Sequence, residues 1–252
     1  SGGVHDKSNG SIQQIFISVN THDFNNAIDI ITTIYNEIEN YLKDNDKYYD
    51  LGASSGFITK NMTPDEKFEL LQNTIKKHKY ENTVSLGIDV AAEHLYKNDL
   101  YFYQGKEYNS SDFYNLIQKY QQKYNLTFIE DPFDTLDKAN WNKFKKTNII
   151  DIVGDDLFAT QEKYIDSSFA NAIIIKMNQA GTLTKTIQTV NKALNEKMKL
   201  CVSHRSYETE DTFMCDLAIA INSDYIKIGG PKRGDRISKY NRIINIIKNT
   251  QN

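Results

Sequence analysis

Residues 126–156 read LTFIEDPFDTLDKANWNKFKKTNIIDIVGDD, and this stretch decides the fold class. The apolar runs Leu126–Glu130 and Ile149–Gly154 predict two β strands. The segment around Lys138–Lys145 predicts a helix between them. A strand, a helix and a second strand in this order are typical of a parallel sheet that is covered by helices.

The same alternation extends along most of the chain. We count seven candidate strands, whereas a closed (β/α)8 TIM-like barrel has eight. The absent first strand would lie upstream of Ser1, unless the barrel is closed in another way. The length of 252 residues suits one barrel domain over residues 1–252 better than two small domains. The other predicted strands are Gln13–Val19, Val84–Asp89, Ala172–Lys176, Leu200–Ser203 and Tyr225–Gly229.

Helical segments separate the predicted strands. Between Asp23 and Leu42, apolar residues recur at the spacing of an amphipathic helix. A second helix starts at Thr63, which is followed by proline at the first helical position and by Glu66 three residues after the cap. The remaining predicted helices are Phe113–Tyr124, Thr182–Leu194, Thr209–Ile221 and Ile237–Lys248.

Composition excludes several classes of protein. A net charge of −3 does not attract nucleic acid or an acidic membrane surface, both of which are negatively charged. No apolar stretch approaches the roughly 20 residues of a membrane span. Two cysteines, Cys201 and Cys215, are too few for a disulfide framework, so we expect a reducing compartment, the cytoplasm.

Charged and polar residues follow six of the predicted strands. In a parallel barrel, the catalytic residues lie at the carboxyl ends of the strands. Three carboxylates at one mouth would repel each other unless a divalent cation joined them, and oxygen ligands suit Mg²⁺. Two facing lysines suggest a reaction with an anionic, carbonyl-like intermediate. Taken singly, each residue also fits a helix cap, a turn or a surface group. The residues are Asp89, Glu130, Asp155, Lys176, His204, Arg205, Ser206 and Lys227.

Six long motifs resemble one family, the enolases, which are phosphopyruvate hydratases. The resemblance covers Gly2 to about Ile246 and is strongest after Leu86. It implies an enolase-type barrel. The motifs read GIDVAAEHLY, FIEDPFDTLDKANWNKF, VGDDLFAT, IIIKMNQAGTLT, VSHRSYETEDTF and IKIGGPKRGDRISKYN.

This resemblance implies a role for each residue at the strand ends. Asp89, Glu130 and Asp155 match the ligands of the tightly bound Mg²⁺. Lys176 matches the base that removes the α-proton of 2-phosphoglycerate. Lys227 matches the lysine that holds the substrate carboxylate.

The resemblance extends to the substrate-binding residues. Arg205 and Ser206 match residues that bind the phosphate, and His204 matches the active-site histidine of the same loop. His5 matches a histidine of a GGSH-type loop that closes over the substrate. Gln13 matches a glutamine of the second strand.

Three departures from the family pattern affect the expected activity. The family's GDEGG loop, whose glutamate donates a proton, reads GASSG here, with Ser54 in place of the glutamate. Gln14 replaces a second glutamate. A general acid typically raises the rate by a factor of about 10²–10⁴, so we expect dehydration by this chain to be very slow. Tyr207 replaces a glycine and adds bulk beside the phosphate site.

The sequence leaves several functions open. The chain is expected either to be part of an enolase-like hydratase that forms phosphoenolpyruvate, or to be a pseudoenzyme that keeps a metal and phosphate pocket as a binding or scaffold protein. The barrel and its site would be completed by the N-terminal domain of enolases together with the first strand. Alternatively, a second chain would complete them, as in a homodimer. Epimerisation and cycloisomerisation are disfavoured, because Gln13 and Gln14 stand where such relatives carry a lysine.

Overall fold

The computed structural model describes residues 11–21 and 23–250, and its centre is a curled sheet of seven strands. All seven predicted strands are present, with ends that shift by up to two residues. In chain order the strands are β1 Gln14–Val19, β2 Tyr48–Leu51, β3 Phe57–Thr59, β4 Val84–Asp89, β5 Tyr96–Lys97, β6 Leu100–Tyr103, β7 Lys106–Tyr108, β8 Phe128–Glu130, β9 Asp151–Gly154, β10 Ala172–Ile175, β11 Lys199–Ser203 and β12 Tyr225–Lys227.

Helices follow the strands at the predicted places. Asp23 caps the first helix by accepting hydrogen bonds from two backbone N–H groups. Thr63 and Glu66 form the predicted capping box. The helices are α1 Phe24–Asp44, α2 Pro64–Lys77, α3 Ser110–Tyr124, α4 Lys138–Thr147, α5 Met177–Ala180, α6 Leu183–Asn195, α7 Phe213–Ala220 and α8 Gly234–Thr250. None of the described helices is long and apolar enough to cross a membrane.

The order of strands in the sheet is β1-β4-β8-β9-β10-β11-β12. From β4 to β12 all neighbours are parallel, as predicted. β1 is an exception, because it pairs with β4 in antiparallel register from Gln14↔Asp89 to Val19↔Val84. The prediction of a wholly parallel sheet was therefore wrong for its first strand.

The chain path explains the antiparallel strand. Two helices, α1 and α2, separate β1 from β4, whereas one helix suffices for a parallel crossover. The second helix returns the chain to the end where β1 stops, and there the backbone N–H of Asn20 donates to the carbonyl of Thr83 at 2.8 Å. The start of β1, with Gln13 and Gln14, consequently lies at the end where the parallel strands finish. We call that end the mouth.

Two small sheets were not predicted from the sequence. β2 pairs with β3 in a hairpin, and β5, β6 and β7 form an antiparallel sheet of three strands. Strands of two to four residues are too short to show an alternating pattern. The second sheet buries Tyr101 and Tyr103.

The large sheet has apolar side chains on both faces. The outer face packs against the helices. The inner face forms a separate cluster of Phe128, Val153, Ala172, Ile174 and Cys201, with Phe16 and Tyr225 packed against it. Gly87 leaves room for this cluster, because a Cβ atom there would lie 2.5 Å from the Phe16 ring. The sheet therefore encloses a packed interior, as a barrel does.

The barrel is not closed by the described residues. β1 and β12 stand at the two ends of the sheet order and do not pair with each other. Beside them lies a cavity of about 1160 Å³, lined by side chains of both strands and of α1, including Ile15, Ile226 and Ile34. The described residues thus form a half-barrel of seven strands. The predicted α/β barrel fold is confirmed, with seven strands in the part of the chain that the structure describes.

Candidate metal and substrate site

Asp89, Glu130 and Lys227 meet at the mouth, although their strands are distant in the sheet order. Asp89 and Glu130 are register neighbours at the ends of β4 and β8. Lys227, at the end of β12, donates to Asp89 Oδ2 at 3.0 Å and to Glu130 Oε2 at 2.7 Å. The curl of the sheet is therefore tight enough for the last strand to reach across the mouth to the second and third strands.

Asp155 and Lys176 form a second ion pair beside the first. Lys176 Nζ contacts Asp155 Oδ2, and Gln179 Nε2 lies 3.3 Å from Asp155 Oδ1. Thr160 is hydrogen-bonded to the backbone of Lys176 and to Gln179, the neighbour of Asp155. Its hydroxyl accepts from the backbone N–H of Lys176 at 2.9 Å and donates to Gln179 Oε1 at 2.8 Å.

The electrostatics of the mouth leave negative charge partly uncompensated. Burial and the neighbouring Asp89 raise the pKa of Glu130 to about 8. Burial alone would lower the pKa of Lys227, but the charges of Asp89 and Glu130 outweigh it and raise that pKa. Glu130 Oε1 is buried and accepts no hydrogen bond from any residue that the structure describes. A buried carboxylate oxygen without a donor fits a cation ligand.

A further acidic cluster lies next to this site and was not predicted. Carboxylate oxygens of Asp131, Asp155 and Asp156 lie within 4.8 Å of one another. Asp131 already accepts hydrogen bonds from the backbone N–H groups of Asp155 and Asp156, at 3.0 and 2.9 Å. Burial and the Asp155 charge raise the pKa of Asp131 well above its usual range and that of Asp156 to about 6. Asp131 therefore shapes the turn that carries Asp155 and adds negative charge beside it.

The loop after β11 carries His204, Arg205 and Ser206. His204 is buried, and the backbone N–H of Arg205 donates to Glu208 Oε1 at 2.7 Å. Arg205 Nη1 is buried and has no hydrogen-bond partner among the described residues. A guanidinium group with a free donor is suited to binding an anion. Tyr207 is 83% exposed, so its ring lies in solvent rather than inside the site.

The remaining part of the mouth is neutral. Gln14 Nε2 donates to Ser54 Oγ at 3.1 Å, and Gln13 Nε2 lies 3.4 Å from Asp89 Oδ2. Among the residues that the structure describes, no carboxylate forms a hydrogen bond or ion pair with Ser54 or Gln14. The position that the resemblance gives to a proton-donating glutamate thus holds a hydroxyl group bound to an amide.

The loop that carries Ser54, residues 52–56, is firmly held. The backbone N–H of Gly230 donates to Ser54 O at 2.9 Å, and the hydroxyl of Tyr35 donates to Ser55 O at 2.7 Å. Ser55 has a φ of 57°, in the left-handed region that glycine adopts most readily, and it stands where the family pattern has a glycine. The loop therefore keeps a glycine-type backbone after the glycine has been lost.

The structure brings together nearly all the predicted site residues. His5 lies outside the described residues. Five others were given no role from the sequence, namely Asp131, Asp156, Thr160, Gln179 and Arg236, whose Nη2 lies 3.0 Å from Arg205 O. Gln179 belongs to the quoted motif KMNQ, which could have identified it. Thr160 and Arg236 act through hydrogen bonds to the site residues, and the sequence does not show such contacts.

Comparisons with known proteins agree with this arrangement. Residues 1–251 match the family described as enolase, C-terminal TIM barrel domain. An enolase from Campylobacter jejuni is 37% identical over 255 residues, which cover 97% of this chain and 61% of that protein. An enolase from Methanocaldococcus jannaschii is 34% identical, with 97% and 60% covered. The chain thus spans about three fifths of the length of the curated relatives that it matches.

Proposed function

Because the chain belongs to the enolase family, we propose that its mouth binds Mg²⁺ together with 2-phosphoglycerate or phosphoenolpyruvate, and that the chain by itself dehydrates this substrate poorly. One observation carries the proposal. Two lysines face buried carboxylates at the mouth, while Ser54 and Gln14, on the neutral part, offer no carboxylic acid.

The metal ligands proposed are Asp89, Glu130 and Asp155. The orphaned oxygen of Glu130 and the raised pKa of that carboxyl group fit a cation. Bound Mg²⁺ would supply positive charge that stabilises a substrate carboxylate as it gains negative charge. Both lysines now pair with these carboxylates, so a cation there would compete for their partners and leave the ammonium groups available to an anionic ligand.

The lysines have separate proposed roles. Lys176, as the neutral amine, would take the proton from C2 of 2-phosphoglycerate, and the electron pair left behind would move into the adjacent carboxylate. Lys227 would hold that carboxylate as an ammonium ion. Arg205, with its unpartnered Nη1, and Ser206 would bind the phosphate.

Among the described residues, Ser54 and Gln14 stand where the second half of the reaction needs a proton donor, and neither is a carboxylic acid. Hydroxide leaves C3 only if a proton reaches it, because hydroxide is a poor leaving group. The Ser54 hydroxyl is a far weaker acid than a carboxyl group, and the Gln14 amide cannot supply a proton. We therefore propose that proton exchange at C2 persists where dehydration fails.

The open side of the barrel supports a role for a further segment. The gap between β1 and β12 has the position of one more strand. We propose that the N-terminal part of an enolase supplies this strand and covers the site. A homodimer and a location in the cytoplasm remain predictions.

An isotope experiment tests the proposal. The chain is incubated with 2-phosphoglycerate and Mg²⁺ in D₂O; deuterium at C2 is followed by NMR, and phosphoenolpyruvate by its absorbance. We expect exchange that exceeds dehydration by about 10²-fold or more, and no exchange in Lys176→Met. Lys185→Met, an exposed lysine on α6, is the control. Dehydration as fast as exchange would refute the proposed loss of the acid, and exchange that survives Lys176→Met would refute the proposed base.

A binding role without chemistry is the second candidate. The neutral hydroxyl–amide pair of Ser54 and Gln14 favours it. In that case calorimetry would show Mg²⁺-dependent binding of phosphoenolpyruvate, while neither exchange nor dehydration would occur.

A further inference from the structure

Arg236 connects three parts of the mouth from a fully buried position. It lies in the first turn of α8, and its side chain has 0% exposure. Its Nη2 lies 2.9 Å from Ala53 O, 3.0 Å from Arg205 O and 2.8 Å from Ser206 O. Its Nη1 contacts Nδ1 of His204. One guanidinium group thus holds the loop of residues 52–56, the loop of residues 204–206 and the imidazole ring.

The contact with His204 decides where the imidazole proton lies. A guanidinium group donates hydrogen bonds and never accepts them, so a hydrogen bond between Arg236 and His204 requires Nδ1 as the acceptor and the ring proton on Nε2. Arg205 O lies 2.9 Å from the same Nδ1. With a proton on Nδ1 the ring could donate to this carbonyl, but the proton would then point at the guanidinium hydrogens. The charge of the buried Arg236 opposes that tautomer.

The surroundings of His204 keep the ring neutral. Burial and the positive charges of Arg236 and Lys227 lower the pKa of His204 well below its usual range. His204 and Lys227 line the same cavity. Because Nδ1 is occupied by Arg236, Nε2 is the ring atom left for a ligand. A neutral N–H beside an ammonium group suits an anionic ligand.

We propose that Arg236 is a positioning residue, which fixes His204 as the Nε2–H tautomer and holds the loop of residues 204–206 against the loop of residues 52–56. Its effect on ligand binding rests on the proposed function of the mouth, whereas its effect on the tautomer does not. Nε2–H of His204 then acts as a fixed donor to the anionic ligand and never as a proton acid.

The tautomer is measured directly by NMR. The chain is labelled with ¹⁵N-histidine, the signals of His204 are assigned by their loss in His204→Gln, and two-bond proton–nitrogen correlations distinguish protonated from unprotonated ring nitrogens at neutral pH. The wild type is expected to carry its proton on Nε2. Arg236→Met removes the donor and is expected to yield a mixture of tautomers. Arg233→Met is the matched control, because Arg233 lies three residues earlier, just before α8, and has described contacts with Ala53 O and Asp235 but none with His204.

Each outcome decides the proposal. A wild-type proton on Nδ1, or an unchanged tautomer in Arg236→Met, overturns it. The wild-type measurement alone suffices if Arg236→Met does not fold. Calorimetry with phosphoenolpyruvate and Mg²⁺ adds the ligand test, in which Arg236→Met is expected to bind roughly tenfold or more weakly than Arg233→Met. Equal affinities in these two variants overturn the link to the ligand. If the wild type binds no phosphoenolpyruvate, the proposed function fails, while the tautomer assignment stands or falls on the NMR result.

Discussion

Two parts of the mouth differ sharply in their chemistry. The charged side contains Asp89, Glu130, Asp155, Lys176 and Lys227, at the ends of parallel strands and joined by ion pairs. The neutral side contains Gln14 and Ser54, joined by one hydrogen bond of 3.1 Å. Both sides are held by dense hydrogen bonding, so the neutral side is as well organised as the charged side. The difference lies in the groups that are held.

This contrast separates two demands of the proposed reaction. Removing a proton next to a carboxylate requires a base and positive charge, and the charged side retains both. Expelling hydroxide requires an acid, and the described residues of the neutral side, Gln14 and Ser54, supply none. A scaffold that is preserved around a missing acid indicates loss of one chemical group rather than collapse of the site.

The largest expected effect comes from restoring the acid. Ser54→Glu is expected to raise the rate of phosphoenolpyruvate formation by about 10²-fold, the lower end of the range for general-acid catalysis. Ser54 is buried, and burial raises the pKa of a carboxyl group, which keeps the proton available for transfer. The measurement is the absorbance of phosphoenolpyruvate.

Ser54→Gln is the matched control for this variant, because glutamine has the size of glutamate without its acidity. An equal gain in Ser54→Gln would show that bulk matters and acidity does not. No gain in Ser54→Glu, in a protein that still exchanges the C2 proton, would show that the neutral side lacks more than an acid.

The second prediction concerns the charged side. The pKa of Glu130, about 8, lies above its value of about 4.3 in an unfolded chain. The folded state therefore binds the extra proton between these values, and the contribution of Glu130 to stability should be greatest below about pH 4 and be lost as pH rises through 8. In Glu130→Gln we expect this loss between pH 5 and 8 to shrink by on the order of 3 kcal/mol, measured by urea unfolding in EDTA.

The affinity for Mg²⁺ provides a second measurement on the same variant. Glu130→Gln is expected to weaken Mg²⁺ binding roughly tenfold or more, because a charged ligand is replaced by a neutral one. Glu81→Gln, at an exposed glutamate before β4, should change neither quantity. Asp131 and Asp156 also have raised pKa values, so part of the pH dependence should remain in Glu130→Gln. A variant with unchanged Mg²⁺ affinity would remove Glu130 from the proposed ligands.

The sequence predicted the charged side better than the neutral side, for a physical reason. The residues of the charged side directly follow apolar strands, and parallel strands bring their ends together, so Asp89 and Lys227 could be placed from local pattern alone. Gln14 lies at the start of its strand. It reaches the mouth only because that strand runs antiparallel, which follows from the packing of two helices and not from any local signal.

The hydrogen bonds between residues far apart in the sequence could not be predicted either. Arg236 is 183 residues from Ala53 along the chain, and charged residues are usually exposed, so nothing local predicts a buried guanidinium at the mouth. No role was predicted for Asp131 from the sequence, yet it accepts the backbone N–H groups that form the turn at Asp155. Such contacts form only in the folded chain, between residues that are distant in the sequence.

The smallest effect tests whether the two sides are independent. Tyr35 lies on α1, and its hydroxyl holds the neutral side by donating to Ser55 O at 2.7 Å. Tyr35→Phe removes this hydrogen bond and keeps the ring, which packs on Phe57 with 4.4 Å between centroids. We expect a loss of about 1 kcal/mol in the free energy of unfolding, measured with urea. Tyr41→Phe, at an exposed tyrosine of the same helix, should lose nothing.

The affinity for Mg²⁺ should be the same in Tyr35→Phe and in the wild type, because Tyr35 shares no partner with the carboxylates of the charged side. A drop in Mg²⁺ affinity would mean that the loop of residues 52–56 supports the metal ligands through Gln14 and the β1–β4 pairing. The charged side would then depend on the neutral side for its geometry, and the loss of the acid would have had consequences for both halves of the reaction.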